Sequence, residues 1–139
     1  LGDRDADRQR GRIAAAAARS FIKLKDCKNA RQVLADSLNA EWDSELVTLF
    51  GDCQGINLVG QIEQAEKWLT QHTDDAGLLL ALGKLCLHQG LWGKAQSYLD
   101  ASNSLQPSRA AYTALAQLAE KMLKPDAAFK YYQQAMELE

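Results

Sequence analysis

The sequence predicts an all-α fold: helical hairpins stacked in a right-handed superhelix. Two observations carry this. First, residues 76–108 and 109–139 superimpose on one another. Counted from its own start, each stretch has a large residue at position 4 (Leu79, Tyr112) and Leu at 7 (Leu82, Leu115). Each has a small residue at 8 (Gly83, Ala116), Ala at 20 (Ala95, Ala128) and a large residue at 24 (Leu99, Tyr132). Second, apolar residues elsewhere recur at helical spacing, and two prolines in 139 residues leave room for long helices.

That pattern resembles the tetratricopeptide repeat, a helix–turn–helix unit of about 34 residues. Four units in a single domain are expected: 11–43, 44–75, 76–108 and 109–139, the second degenerate. Small residues at 8 and 20 let the two helices of a hairpin approach closely. Large residues at 4, 7 and 24 fill the space between hairpins. One hairpin cannot bury its apolar face alone, so its neighbours must cover it.

The first helix is expected over about 4–24, with Ile13, Ala14, Ala17, Ala18, Phe21 and Ile22 on one face. The second covers about 28–40, behind Asp26, a residue type that accepts backbone N–H bonds ahead of a helix. Val47, Phe50 and Gly51 suit a short helix from Ser44. The breakers Gly55, Asn57 and Gly60 follow, and then a helix to His72 with Ile62, Ala65, Trp68 and Leu69 on one face. Ala65 lies two residues later than the repeat requires, as a lengthened inner turn would place it. Asp74 and Asp75 precede the best-matched pair, 76–89 and 92–105, joined at Gly90 in the left-handed backbone that glycine tolerates. The last pair is 109–123 and 125–138. Pro107 closes the helix before it, and Pro125 stands at a helix start, where its missing N–H costs little.

A net charge of −2 and a pI near 5.7 argue against a nucleic-acid module, which shows a basic excess on one face. No apolar run approaches the ~18 to 20 residues of a membrane span. The chain starts at Leu1 without Met, as a piece of a longer parent does, and Leu138-Glu139 is either native helix or a cloning remnant. Cys27, Cys53 and Cys86 form no framework, zinc or haem-attachment spacing, so no disulfide and a reducing compartment are expected.

Two runs are more specific than a generic repeat: Leu78 to Cys86 (LLLALGKLC) and Leu91 to Leu99 (LWGKAQSYL), with Glu66 to Leu69 (EKWL) and Pro107-Ser108. Together they resemble the C-terminal repeat region of the bacterial HemY family, most closely over 65–139. The resemblance implies a parent anchored in the bacterial inner membrane; it does not fix the side its soluble domain faces, for which the cytoplasmic one is favoured. It also implies a part in late haem or porphyrin biosynthesis. The flavin protoporphyrinogen oxidase of the same name is a different protein, and no G-x-G-x-x-G following a strand supports it here.

The expected function is a protein–protein interaction scaffold and not an enzyme, with porphyrin-pathway enzymes as the partners the resemblance implies. No cofactor or metal is expected. Two alternatives stay open: a direct haem- or porphyrin-binding module, and a repeat adaptor in envelope assembly or secretion. Repeat arrays bind through the first helix of each hairpin, which marks Arg19, Lys23, Leu80, Lys84, Leu87, His88, Thr113, Gln117 and Lys121 as groove residues, with Leu80 and Leu87 as anchors. Arg12, Ile22 and Glu120 fall on the same wall. Cys86 and His88 are two residues apart and face different sides of a helix, so they do not converge on one metal ion. Cys86 is expected in the core and His88 in the groove. His72 is read as stabilising a helix end. Trp42, Trp68 and Trp92 are read as packing residues.

Overall fold

A computed structural model describes residues 2–138; Leu1 and Glu139 lie outside the described residues. Eight α-helices follow one another: α1 (Gly2–Lys23), α2 (Cys27–Ala40), α3 (Ser44–Thr48), α4 (Leu58–Leu69), α5 (Ala76–Gln89), α6 (Trp92–Leu105), α7 (Arg109–Lys121) and α8 (Pro125–Glu137). A 3-10 turn, Leu49–Gly51, extends α3. Antiparallel neighbours α1/α2, α5/α6 and α7/α8 pack most extensively on one another, as helical hairpins do. This is an all-α helical-repeat fold.

Helix starts are set by side chains that take up orphan backbone donors. Asp26 accepts from the Asn29 N–H, Asp43 from Glu45 and Leu46, Asn57 from Gly60, Asp75 from Leu78, and Ser108 from Ala111. Gly90, at φ +83°, ends α5 in the left-handed region.

The core centres on α5. It packs against α3, the 3-10 turn and α4 on one side and against α6 and α7 on the other. Every residue from Gly77 to Leu87 except Lys84 is therefore buried. A helix that is apolar nearly all round belongs in such an interior position. Two close approaches make it possible. A Cβ on Gly51 would lie 2.7 Å from the Ala81 Cα, and one on Gly77 would lie 2.3 Å from the Ser44 carbonyl oxygen. Gly83 meets Leu99 of α6 in the same way, with 2.4 Å from an added Cβ to Leu99 Cδ2. The core continues through Phe50, Leu34 and Leu38 to Ala14 and Ala18 of α1.

Trp42, Trp68, Phe50 and His72 form an aromatic cluster at the α2–α3–α4 junction. Trp42 stacks on His72 with centroids 3.8 Å apart and meets Trp68 edge-on at 5.6 Å; Phe50 meets Trp68 at 4.9 Å. The packing role read for Trp42 and Trp68 describes what they do. His72 lies beyond the end of α4 and is a stacking partner in this cluster.

One expectation is overturned. Cys27 and Cys53 are joined in a disulfide, with Cα atoms 5.4 Å apart across 26 residues of sequence; only Cys86 is free, and it is buried. Spacing concealed the pairing because the breaker-rich stretch after the 3-10 turn folds back onto the start of α2. Gln61, itself buried, holds that return in place. Its Nε2 donates to the carbonyls of Phe50 (2.9 Å) and Cys53 (2.8 Å), and its Oε1 accepts from the Gly55 N–H (3.3 Å).

Candidate functional site

The first helices of the hairpins bring part of the expected groove together. A groove of about 740 Å³ lies between α5 and α7 and is lined by Leu87, His88, Gly90, Trp92, Gln117, Glu120 and Lys121. His88, Gln117 and Lys121 are exposed on its walls. Burial lowers the His88 pKa, and the nearby cations Lys84 and Lys121 lower it further. At neutral pH the wall therefore presents a neutral imidazole beside an ammonium group. Trp92, at the start of α6, is 40% exposed. Of the two readings its sequence position allows, core packing and partial exposure after a turn, the second describes it: the turn at Gly90-Leu91 places it at the groove rim, where an indole offers both an apolar face and a donor.

Arg12 and Arg19 lie elsewhere. They line a separate groove of about 570 Å³ between α1 and α3, with Arg8 on the same side and Asp43 and Glu45 across from them. Lys23 is exposed on the last turn of α1, outside both grooves. Thr113 turns its hydroxyl back to the Arg109 carbonyl at 2.8 Å.

Three of the expected contacts are corrected. Leu80 and Leu87 are 7% and 6% exposed and do not project as anchors; Leu87 reaches the α5–α7 groove only as part of its floor. Leu80 packs with Leu99, Ala111, Ala114 and Leu115, and Leu87 belongs to the main core, because α5 is enclosed on both sides. Lys84 is not a free cation: its ammonium is paired with the Asp52 carboxylate.

Cys86 faces the interior, and burial pushes its thiol up to about 11, so it is a neutral, inert group at physiological pH. Among the described residues, no three His, Cys, Asp or Glu side chains converge as a metal site. No described helix is long and apolar enough to cross a membrane.

No family model matches the chain, and no curated protein does. Solved structures do resemble it. One, titled "Crystal structure of MamA", superimposes with a TM-score of 0.62 and 19% identity over 96% of this chain and 80% of that one. Another, titled "MamA MSR-1 C2", gives 0.60 and 15% over 91% and 75%. MamA is an all-helical protein of the tetratricopeptide type, and at these identities the likeness is one of fold. None of these comparisons points to the HemY family, so that resemblance rests on the sequence runs alone.

Proposed function

We propose that this chain is a protein-binding scaffold and that the α5–α7 groove is its contact surface. The observation that carries this is the exposed Trp92 beside His88, Gln117 and Lys121 in one continuous groove. An aromatic anchor flanked by a few polar groups suits a polypeptide partner. The repeat fold suits the same role, since stacked hairpins create extended surfaces. A direct haem site draws no comparable support, because Cys86 is enclosed and the groove offers His88 alone.

The finer reading adds a setting. The Leu78–Cys86 and Leu91–Leu99 runs favour a HemY-like scaffold that organises or regulates late porphyrin-biosynthesis enzymes at the bacterial inner membrane. The test is affinity capture of the full-length parent from its own membranes, read by mass spectrometry, beside a Trp92→Ala, Lys121→Glu variant. The charge reversal is placed at Lys121 and not at Lys84, because changing Lys84 would also break its pair with Asp52. Porphyrin-pathway enzymes captured by the parent and lost with the variant are the expected result. Capture that is indifferent to both substitutions rejects the groove. Envelope-assembly proteins captured in their place reject the haem setting and leave the scaffold reading standing.

A further inference from the structure

A third cleft, of about 700 Å³, lies between α2, the 53–57 stretch and α4. We propose that it binds an extended polypeptide segment carrying a carboxylate side chain. Three observations converge on that occupant.

The first is shape. Lys28, Gln32, Ala35 and Asn39 all line the cleft, and their spacing of four, three and four residues places them in one row along α2. At 1.5 Å per residue the row is about 16 Å long, the span of about five residues of extended chain. The facing wall does not depend on a loose loop. Cys53 is tied to Cys27, and Gln61 fixes the Cys53 carbonyl and the Gly55 N–H.

The second is hydrogen-bonding chemistry. Carboxamides dominate the lining, and several keep a group unspent after their own contacts. Gln32 Nε2 bonds Asp36, Gln54 Nε2 bonds the Gly51 carbonyl, Asn57 Oδ1 accepts from Gly60, and Gln64 Oε1 accepts from Arg31 Nε. The other end of each amide remains, with both ends of Asn39. A carboxamide carries the same donor and acceptor pair as a peptide unit, so these groups match a main chain and not a particular side chain.

The third is charge, which gives the cleft a direction. Lys25, Lys28 and Arg31 cluster at one end. The carboxylate there, Asp26, is already engaged by the backbone and side-chain nitrogens of Asn29. Asp36 lies two turns further along α2 and accepts from Gln32. An occupant with its carboxylate at the Lys28 end places that charge among three cations, about two helical turns from Asp36, which lines the cleft further along. Ile56, fully exposed at the rim, adds an apolar contact beside it.

The test is selection of random dodecapeptides displayed on phage against the disulfide-intact chain, followed by titration of a labelled synthetic copy of the enriched peptide. Enrichment of Asp- or Glu-containing peptides is expected. Their affinity should fall about tenfold or more in Lys28→Glu, through loss of one charge-assisted contact, and should also fall in Asn39→Ala. Both changes are on the exposed surface, and melting curves check that the fold is retained. Lys121→Glu, in the other groove, should leave binding unchanged. No enrichment, or binding indifferent to Lys28→Glu and Asn39→Ala, overturns the proposal. Loss with Lys121→Glu instead assigns the peptide to the α5–α7 groove and overturns it equally.

Discussion

The indole N–H of Trp42 donates to Asp75 Oδ2 at 2.7 Å, across 33 residues of sequence. The other oxygen of Asp75 accepts from Ser44 Oγ at 2.6 Å and from the Leu78 N–H at 2.9 Å. One carboxylate thus joins the end of the first hairpin, the start of α3 and the start of α5. Burial raises the Asp75 pKa, but the bonds from Ser44, Trp42, Leu78 and Gly77 outweigh it and hold the carboxyl below its ordinary 3.8.

A folded-state pKa below the unfolded one means that protons bind more readily to the unfolded chain. The contribution of Asp75 is present above pH 3.8 and is lost as the pH falls through its lowered folded value. Asp75→Ala should lower stability by about 1 to 2 kcal/mol at neutral pH, partial exposure keeping the figure modest. The difference between thermal melts of the two proteins should hold from pH 7 down to about 4 and begin to narrow below pH 3.8. A difference that persists undiminished at pH 3 contradicts the assignment.

Glycines should divide by what surrounds them. Gly51→Ala and Gly77→Ala drive a methyl into the backbone of Ala81 and Ser44, which cannot rotate away, and should each cost about 1 to 3 kcal/mol. Gly93→Ala, in α6 with nothing within 4 Å of the added carbon, should instead gain about 0.5 to 1 kcal/mol from reduced unfolded-state freedom. Urea denaturation of the three variants measures both signs.

The disulfide predicts a labelling pattern. Iodoacetamide should modify no cysteine in the native oxidised chain, Cys27 well ahead of the buried Cys53 and Cys86 after mild reduction of the folded protein, and all three once it is unfolded. Cys53→Ser should cost about 3 to 4 kcal/mol on the loop-entropy estimate for a closed loop of this size. Intact-mass spectrometry and denaturant midpoints check these separately.

Tyr98 and Lys94 of α6 both donate to Glu66 Oε2 of α4. The Tyr98 hydrogen bond is the largest influence on Glu66 and lowers its pKa; burial opposes it and the Lys94 contact assists it. Tyr98→Phe should therefore raise the Glu66 pKa toward that of an ordinary glutamate. Carboxyl chemical shifts followed through an acid titration would show the change.

The repeat units nearest the template were legible because their packing is local. Small and large residues at fixed spacing report hairpin contacts within a few turns, and the observed α5 to α8 begin where that spacing places them. The cross-link was not legible, since it depends on the path of residues 53–57 and on Gln61, a polar residue whose burial no periodicity announces. Leu80 and Leu87 were misplaced because a generic repeat leaves one face of its first helix open, whereas α5 is covered on both sides. The apolar run from Leu78 to Leu82 was the available signal. The turn before Trp92 was the signal for its exposure, and it outweighs the preference of a large aromatic residue for the core.

The Cys27–Cys53 bond also divides the chain mechanically. If it were pulled from its two ends, the residues between Cys27 and Cys53, a sequence separation of 26, would carry no load and contribute no length. At about 3.5 Å per residue, the fully stretched oxidised chain would be about 90 Å shorter than the reduced one. α8, packed chiefly on α7 and showing Phe129 and Met136 to solvent, has no such cross-link. Under load the α7–α8 hairpin can extend to its full length while the first hairpin stays stapled to the turn that follows α3.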